Sequence, residues 1–464
     1  MDPLHFHQLY SAIRTPIETC VVGSGGFGQS FMAQARHVRL MNARIAVDRD
    51  AATAARALQL SGISVDRIRI CSDARAARAA WQDGLFVAAG NLAAVIDLPF
   101  QVLVEATGHP EAAARHALAA IEAGRHVALV SKEADSVCGP GLARLGRESG
   151  LVVTPVDGDQ PSLLIGLVTW AEVLGLPVVA AGKSSEYDFV FDRAAGMVMS
   201  NGVAKPLTGL AEAWNPRGAD IGEVAALRGR IIGSAFPLRA VPDLCELTIV
   251  ANATGLVPDR PDFHAPVARI PEVAGLFAER RHGGLVEAPG RLDVFHHLRA
   301  PDEVSFAGGV FVVVRCQDRT SWDMLAAKGH AVSASGETAM LYLPRHILGL
   351  EAATSVLDAA GLGRSGYGDD YRPRIDLVAI ADRDLAAGTV LTASGHHHTI
   401  DGVRAEMHPA AALADDRPAP FYLVADRPLV RSVGAGDPIR LGDVGMDEGS
   451  ALFALRLRQD ALFA

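Results

Sequence analysis

The side chains best suited to chemistry follow short apolar runs in the first half of the sequence. Such runs are typical of buried strands, and the side chains that follow them are Lys132, Glu133, Asp135, Asp157, Asp159 and Lys183. In an open parallel sheet, ligands bind at the carboxyl ends of the strands, so we expect these residues to line one cleft. An ammonium group there can polarise a carbonyl, and carboxylates can bind a hard divalent cation.

The carboxylates allow two interpretations. Together they provide enough oxygen ligands for Mg²⁺ or Mn²⁺, and the predicted metal site consists of Glu133, Asp135, Asp157 and Asp159. Alternatively they are helix N-caps, a role that suits Asp159, which lies two residues before an apolar helical pattern. The sequence leaves both interpretations open.

A glycine loop is the strongest motif in the chain. It follows the apolar run 18–22 and precedes a helical pattern at 29–40. In such a loop the first glycine permits a tight turn, the second lets the backbone approach a pyrophosphate, and the third lets helix and strand pack closely. The predicted cofactor-binding residues here are Gly23, Gly25, Gly26, Phe27 and Gly28.

Asp48 follows the next strand pattern at the spacing from the glycine loop that is typical of dinucleotide-binding units. Its carboxylate would accept hydrogen bonds from the adenosine ribose and repel a 2′-phosphate, which favours NAD. The neighbouring Arg49 offers the alternative of binding that phosphate in NADP. After the apolar run 102–105, Thr107 and Gly108 are predicted to lie on the nicotinamide side. We therefore predict NAD(P) as cofactor, with a modest preference for NAD.

Two more polar features complete the predicted site. Lys183, beside two serines, suits a phosphate or carboxylate of a substrate, although a solvated turn is the alternative. Asn252 follows an apparent strand and would hydrogen-bond a polyol or carbonyl. Three adjacent histidines at 396–398 predict a polar turn rather than a metal site, because neighbours on a strand point to opposite faces. The predicted catalytic residues are Lys132, Glu133, Asp159, Lys183 and Asn252.

The elements that must position these residues alternate between strand and helix up to about residue 182. This alternation predicts an α/β fold with a doubly wound parallel sheet. The pattern weakens over 184–244, which predicts an irregular region, and strands are expected again at 246–255 and 308–316. The polar, glycine-rich segment 364–373 is typical of a linker, and the turn-rich remainder predicts a small β-rich module.

We therefore predict three domains. Residues 1–150 form a dinucleotide-binding Rossmann domain, whose sheet is completed by residues 305–362. Residues 151–304 form a central α/β domain for catalysis and oligomerisation. Residues 374–464 form the small β-rich domain.

Composition restricts the possible partners. The formal net charge of −10 gives no general attraction for nucleic acid or an anionic membrane. No apolar run is long enough to span a bilayer, no secretory signal is expected at the N-terminus, and five scattered cysteines argue against a disulfide framework. We expect a cytoplasmic homodimer or higher homo-oligomer that binds a small-molecule substrate.

Several segments resemble the homoserine-dehydrogenase-like oxidoreductases that carry a C-terminal SAF domain. The most specific are EADSVCGP and ANATGLVPD, and the likeness extends to VVGSGGFGQSF near the N-terminus and ADRDLAAGTVL near the C-terminus. The resemblance implies a Rossmann domain, a central catalytic domain and a β-clip-like SAF domain at 374–464. It also implies hydride transfer with NAD(P).

One branch of these proteins is similar to 1-deoxy-D-xylulose 5-phosphate reductoisomerase-like enzymes, which rearrange and reduce a phosphorylated keto-sugar with NADPH and a divalent metal. This resemblance implies that Glu133, Asp135 and Asp159 lie near the active centre and that Lys183 lies near the phosphate. Three functions compete: an oxidoreductase or reductoisomerase of a small polar hydroxy or keto metabolite, a homoserine dehydrogenase, and a non-enzymatic NAD-binding sensor or scaffold.

Overall fold

Three sheets form the framework of the protein in the computed structural model, which describes residues 6–215, 220–238, 241–395 and 398–464. The first sheet is parallel, the second is mixed, and the small third sheet is antiparallel. The α/β fold class predicted from the sequence is confirmed.

The first sheet has seven strands in the order β3-β4-β2-β1-β5-β6-β7. Its central strands are continuous runs of buried apolar residues, because helices cover both faces of a doubly wound sheet. The strands are β1 (Ile17–Val22), β2 (Met41–Val47), β3 (Ile68–Cys71), β4 (Phe86–Ala89), β5 (Val102–Glu105), β6 (His126–Leu129) and β7 (Val153–Pro155). The helices of this half are α1 (Phe6–Leu9), α2 (Gly26–Ala35), α3 (Ala51–Leu60), α4 (Ala74–Gln82), α5 (Pro110–Glu122), α6 (Lys132–Glu148) and α7 (Gln160–Val173).

The strand order reverses between β1 and β5, since the chain runs from β1 to one side through β2 and later returns to its other side through β5. The loops that follow these strands lie at the same edge of the sheet. At such a reversal the loops diverge and leave the crevice in which ligands bind.

The second sheet has nine strands and contains two segments that the sequence assigned elsewhere. The sequence predicts that residues 305–362 complete the first sheet, whereas β15 pairs with β8 and β16 pairs with β15. This corrects the expectation: a run buried on both faces does not show which sheet it joins. The segment that does return to the first sheet's helices is helical, and its 3₁₀ turn Leu348–Leu350 packs against α2.

The strands of the second sheet run in the order β11-β10-β9-β14-β8-β15-β16, with two short strands beside β14. They are β8 (Val178–Ser184), β9 (Phe189–Asp192), β10 (Met197–Ser200), β11 (Val203–Pro206), β12 (Val257–Pro258), β13 (Val267–Ala268), β14 (Arg291–Arg299), β15 (Val310–Arg315) and β16 (Thr338–Leu343). The region 184–244, predicted to be irregular, therefore contains three strands. The helices here are α8 (Ile221–Gly233), α9 (Val241–Thr254), α10 (Ile270–Leu276), α11 (Arg319–Ala327) and α12 (Ala353–Leu357).

Helix α9 corrects a second expectation, because the sequence predicts a strand at 246–255. Eleven of its fourteen residues are buried, so the helix has no polar face and no amphipathic period to reveal it. Its β-branched residues imitate a buried strand, which periodicity cannot distinguish from a buried helix.

The third sheet belongs to the C-terminal unit and consists of β17 (Ile375–Ala381), β18 (Ala393–Ser394), β19 (Thr399–Ile400) and β20 (Val403–Pro409). Two helices follow, α13 (Phe421–Val424) and α14 (Ala451–Leu462), and α14 packs back on α5 and α6. The segment 364–373 is not a free linker, since the side chains of Tyr367 and Tyr371 are buried. The domain boundaries proposed from the sequence remain predictions.

No helix within the described parts of the chain combines the length and the apolar character needed to cross a bilayer.

Candidate functional site

The glycine loop adopts the geometry that its spacing predicts. It joins β1 to α2, and Gly23 has a φ of +100°, a conformation that glycine adopts without strain. A Cβ at Gly23 would overlap the backbone of Ala106, and a Cβ at Gly28 would overlap the carbonyl oxygen of Gly23. Around Gly25 and Gly26 there is open space, and no side chain caps the first turn of α2. Free N–H groups at a helix N-terminus favour an anion, so the loop fits a pyrophosphate.

Asp48 fixes this loop from the end of β2. Its Oδ2 accepts a hydrogen bond from the Ser24 N–H at 2.9 Å, and its Oδ1 accepts one from the Arg49 N–H at 2.7 Å. The Ser24 hydroxyl oxygen is buried without a hydrogen-bond partner among the described residues. An unsatisfied hydroxyl beside a carboxylate with spare lone pairs suits a polar ligand, and the residues present therefore fit the adenosine end of a dinucleotide.

The loop after β5 is held by a buried carboxylate. Glu105 has no exposed surface; it accepts hydrogen bonds from the Ser131 hydroxyl and, at 2.7 Å, from the Thr107 hydroxyl. Ser131 in turn accepts a hydrogen bond from the Gly108 N–H at 2.9 Å. These contacts join the loop after β5 to the start of α6, so Thr107 and Gly108 lie at the carboxyl edge of the sheet; their position beside a nicotinamide stays a prediction.

Five ionised side chains meet at this edge, and we call them the lysine–carboxylate cluster: Lys132, Asp159, Lys183, Asp243 and Glu246. The two oxygens of Glu246 accept hydrogen bonds from two different ammonium groups, those of Lys132 and Lys183. Asp159 lies 3.4 Å from the Lys132 Nζ, and Asp243 lies 2.8 Å from the Lys183 Nζ. Three elements of the first half, α6, α7 and β8, thus converge on α9.

The two lysines differ in accessibility. The Lys183 side chain is 1% exposed, whereas that of Lys132 is 24% exposed. The Lys183 ammonium is enclosed by Asp243 and Glu246, and its contact with a substrate phosphate, which the resemblance to reductoisomerase-like enzymes implies, stays a prediction. Lys132 is therefore the more exposed cation of the cluster.

The charges in the cluster stabilise one another. Burial by itself would lower the pKa of Lys132, but the nearby carboxylates of Asp159 and Glu246 outweigh it and raise that pKa well above its ordinary value. Burial would raise the pKa of Glu246, but the two lysines lower it to about 2. Lys132 is therefore a protonated donor held in a fixed position.

Two further groups border the cluster. Burial raises the pKa of Glu133 to about 7, so this carboxyl group changes charge near neutrality. His346 lies 3.8 Å from Asp159, and burial lowers the pKa of its imidazole, which favours the neutral form. Both are groups that can accept or donate a proton at physiological pH.

The predicted metal site is not assembled. Both Asp135 oxygens accept hydrogen bonds from buried tyrosine hydroxyls, and both Asp157 oxygens accept them from Ser162 and Thr354. Nowhere in the described ranges do three His, Cys, Asp or Glu side chains form a group that could hold a metal ion. The structure therefore does not bring together the predicted set Glu133, Asp135, Asp157 and Asp159. For Asp159 the alternative holds, since it caps α7 by accepting a hydrogen bond from the Gln160 N–H at 3.0 Å.

Asn252 has a structural contact in place of the predicted substrate contact. Its Oδ1 accepts hydrogen bonds from the N–H groups of Arg374 and Ile375, and its Nδ2 donates to the Ile375 carbonyl. The side chain is buried and attaches the start of β17 to α9. Of the three adjacent histidines, 396 and 397 lie outside the described residues, whereas His398 approaches Glu133.

Sequence reasoning missed Asp243, Glu246 and His346. A signal for the first two is present: they are acids three residues apart on an otherwise uncharged helix, so they share one face. Acids are almost never buried unless they are paired, and two on one buried face indicate cationic partners elsewhere in the chain.

One known family matches the segment that begins with helix α9. The family model described as "Oxidoreductase DRL, catalytic domain" matches residues 242–352, well under half of the chain. The matched segment contains Asp243 and Glu246 of the cluster and ends after His346. A search of curated proteins finds no relative of the chain.

Among solved structures the similarity is distant. An NAD-binding protein from Listeria innocua is 16% identical, covering 39% of this chain and 47% of that one, with a TM-score of 0.25. An oxidoreductase from Agrobacterium radiobacter in complex with NAD⁺, L-tartaric acid and magnesium is 17% identical, covering 39% and 47%, with a TM-score of 0.26. Biliverdin reductase from Synechocystis sp. PCC 6803, in complex with biliverdin and NADP⁺, is 20% identical, covering 39% and 49%, with a TM-score of 0.24. Each is matched over less than half of its own length, and none determines what this chain binds.

Proposed function

We propose that the protein is an NAD(P)-dependent oxidoreductase that interconverts a hydroxyl and a carbonyl group on a small polar metabolite. The observation that carries the proposal is the position of Lys132. It is the first residue of α6, at the carboxyl edge of a sheet whose glycine loop fits a pyrophosphate, and it is the accessible cation of the lysine–carboxylate cluster. A match to an oxidoreductase catalytic domain supports the class of reaction.

In this proposal the residues of the chain bind the ligands and move the proton. The glycine loop and Asp48 hold the dinucleotide, which supplies or accepts the hydride when bound. The Lys132 ammonium donates a hydrogen bond to the substrate oxygen and stabilises negative charge as that oxygen becomes an alkoxide. The proton itself is carried by Glu133 or His346: on reduction of a carbonyl the protonated group gives it to the alkoxide, and on oxidation of a hydroxyl the unprotonated group accepts it, while Lys132 stays an ammonium.

Glu246 and Asp159 position the Lys132 ammonium. Because both carboxylates pair with the Lys132 ammonium from within the protein, they fix its orientation and keep it charged. Preorganised charge of this kind lowers a barrier without reorganisation during the reaction. Glu133 or His346 would exchange the proton with solvent.

Two finer versions of the proposal differ in substrate. A reductoisomerase-like reaction would rearrange a phosphorylated keto-sugar before reducing it and would depend on added Mg²⁺ or Mn²⁺. A homoserine dehydrogenase would oxidise homoserine. A non-enzymatic NAD-binding sensor or scaffold is the third candidate, and turnover of any substrate would exclude it.

The test separates binding from turnover. We expect one of NAD⁺, NADH, NADP⁺ and NADPH to raise the melting temperature, since a ligand at 100 times its Kd adds about 2.7 kcal/mol to the free energy of unfolding. Gly28→Ala should abolish this shift, because a Cβ there overlaps the Gly23 carbonyl. A panel of polyols, hydroxy acids, homoserine and keto-sugar phosphates, with and without Mg²⁺, is then screened by the absorbance of the reduced nicotinamide.

Lys132→Met is the decisive variant. We expect it to retain dinucleotide binding and to lose roughly a hundredfold to a thousandfold in kcat, the cost of removing one preorganised donor. Lys328→Met, which removes a lysine from an exposed surface position, is the matched control. Wild-type kcat in Lys132→Met, or no melting shift with any of the four dinucleotides, would contradict the proposal.

A further inference from the structure

The C-terminal unit reaches the candidate site. Helix α13 packs against α6, and its Tyr422 is buried with its hydroxyl hydrogen-bonded to the thiol of Cys245 on α9. The thiol in turn donates to the backbone carbonyl of Lys132 at 3.2 Å. A chain of contacts therefore runs from the third sheet's unit to the residue that carries the proposed chemistry.

His398, in the turn between β18 and β19, extends this approach into the crevice. Its Nε2 lies 3.5 Å from the Glu133 Oε1, and its ring meets that of Tyr422 edge-on, with the centroids 6.3 Å apart. A Cβ built on Gly108 would lie 3.9 Å from the same nitrogen. The imidazole thus lies between the loop after β5 and the first turn of α6.

That position corresponds to one end of the cofactor crevice. On a doubly wound sheet the adenosine lies towards the β2 side, here marked by Asp48, and the nicotinamide lies on the opposite side of the strand reversal. The loops after β5 and β6 are on that opposite side. A side chain that lies between them therefore faces the nicotinamide half and is remote from the adenosine half.

The backbone of His398 has an uncommon conformation, which indicates that its surroundings hold the residue in place. Its φ is +48°, in the left-handed region, which residues other than glycine adopt uncommonly. Strain of this kind persists where the surroundings hold the residue, and it is concentrated at functional sites.

We propose that the C-terminal unit completes the cofactor crevice, with His398 contacting the nicotinamide riboside half of the bound dinucleotide. This inference rests on the proposed function and adds to it a positioning role for a third part of the chain. The imidazole lies next to Glu133 and beside the loop after β5, on the side of the strand reversal away from Asp48.

The test compares ligands that differ only in the half that His398 would touch. Calorimetric titration gives the Kd of the full chain for NADH and for ADP, which lacks the nicotinamide riboside. If NADPH is the ligand, the pair compared is NADPH and 2′-phospho-ADP. His398→Gly removes the imidazole and suits a φ of +48°. The matched control is Asn201→Gly, an exposed residue with a φ of 46° in the turn between β10 and β11. His398→Asn is a second variant, since Asn tolerates this conformation.

We expect His398→Gly to raise the Kd for NADH about fivefold, the effect of losing one polar contact to the ligand, while the Kd for ADP stays within about twofold. Asn201→Gly should change neither. Equal weakening of both ligands, or no change in either with both His398 variants, overturns the inference. If the wild type binds none of NADH, NADPH and ADP, the proposed function itself fails, and a loss confined to His398→Gly is distinguishable from that result.

Discussion

Two buried carboxyl groups that flank α6 have opposite acid–base properties. Glu246 on α9 lies between two lysine ammonium groups, and Asp135 on α6 lies between the hydroxyls of Tyr367 and Tyr371. Each residue is 2% exposed, so burial favours the neutral form of both. The lysines nevertheless lower the pKa of Glu246 to about 2, whereas burial raises the pKa of Asp135 to about 7 and the tyrosines reverse only part of that rise.

The difference shows that the partner's charge, and not the depth of burial, determines what a buried carboxyl group does. Around Glu246 the carboxylate and its two lysine partners remain charged, and their ion pairs position Lys132 at the edge of the crevice. Around Asp135 the group is at the border of neutrality, and its two hydrogen bonds attach the segment 364–373 to α6. We call Asp135, Tyr367 and Tyr371 the tyrosine–carboxylate cluster and infer that it is structural.

The largest expected effect on the free energy of unfolding comes from Lys183→Met. The substitution leaves Asp243 and Glu246 buried with fewer positive charges, and removing one partner of a buried ion pair costs about 3–5 kcal/mol. Urea unfolding measures the loss, with Lys328→Met as the surface control. The double variant Lys183→Met with Glu246→Gln should lose less than the sum of the single variants, because the two groups are coupled. A loss below about 1 kcal/mol, the range of an exposed pair, would show that the cluster is not buried in solution.

The glycine loop could be predicted from the sequence, whereas the lysine–carboxylate cluster could not. The loop's geometry depends on residues that are neighbours in the chain, so glycine spacing and the flanking strand and helix patterns describe it fully. The cluster joins Glu246 to lysines 114 and 63 residues away. Lys132 and Lys183 are recognisable as polar residues after strands, but their shared partner is fixed only by how α9 packs between them.

Because α9 was interpreted as a strand, Glu246 was not recognised as the partner of the two lysines. The predicted strand begins at Glu246 and leaves Asp243 in the preceding irregular region, whereas on helix α9 the two acids share a face. Choosing the wrong period therefore removed the two acids from the site and placed Asn252 in it. A buried helix gives no period to correct the choice.

The tyrosine–carboxylate cluster was hidden for a different reason. The composition of 364–373 is typical of a linker, and nothing in it indicates that both tyrosines are buried. One trace remains in the sequence: Gly139 lies in the interior of α6, where a Cβ would overlap the Asp135 carboxylate and lie 2.8 Å from the Tyr371 hydroxyl. A glycine inside a helix four residues after an acid thus indicates space reserved for that acid's partners.

The two buried carboxyl groups should make the free energy of unfolding depend on pH with opposite signs. The pKa of Asp135 is raised from 3.8 to about 7 on folding, so the folded state binds the extra proton between these values and the wild type loses stability as pH rises through this range. Asp135→Asn removes the titration. We expect the wild type's advantage over this variant to shrink from pH 5 to pH 7 by at most about 1.4 kcal/mol per pH unit. Urea unfolding at several pH values measures the difference between the two proteins. The titration of the neighbouring Glu133 occurs in both proteins and does not contribute to that difference.

Glu246 gives the opposite sign. Its folded pKa, about 2, is below the ordinary value of 4.5, so its contribution is present above about pH 4.5 and is lost as pH falls towards 2. An Asp135→Asn difference that does not change between pH 5 and 7 would mean that Asp135 is ionised throughout, and the contrast between the two carboxyl groups would disappear.

The smallest expected effect comes from Tyr367→Phe, which removes one of the two hydroxyls and keeps the ring stacked on Tyr371, 4.1 Å between centroids. At pH 8, where Asp135 is mainly ionised, the lost donor should cost about 1–2 kcal/mol, since hydrogen bonds to charged groups are the stronger ones. The cost should be smaller at pH 5, because the protonated carboxyl group depends less on a donor. Tyr342→Phe, at a ring that is 40% exposed on β16, is the matched control. Urea unfolding at the two pH values decides the point: an equal cost at both would show that the tyrosine acts by packing alone and does not tune the carboxyl group.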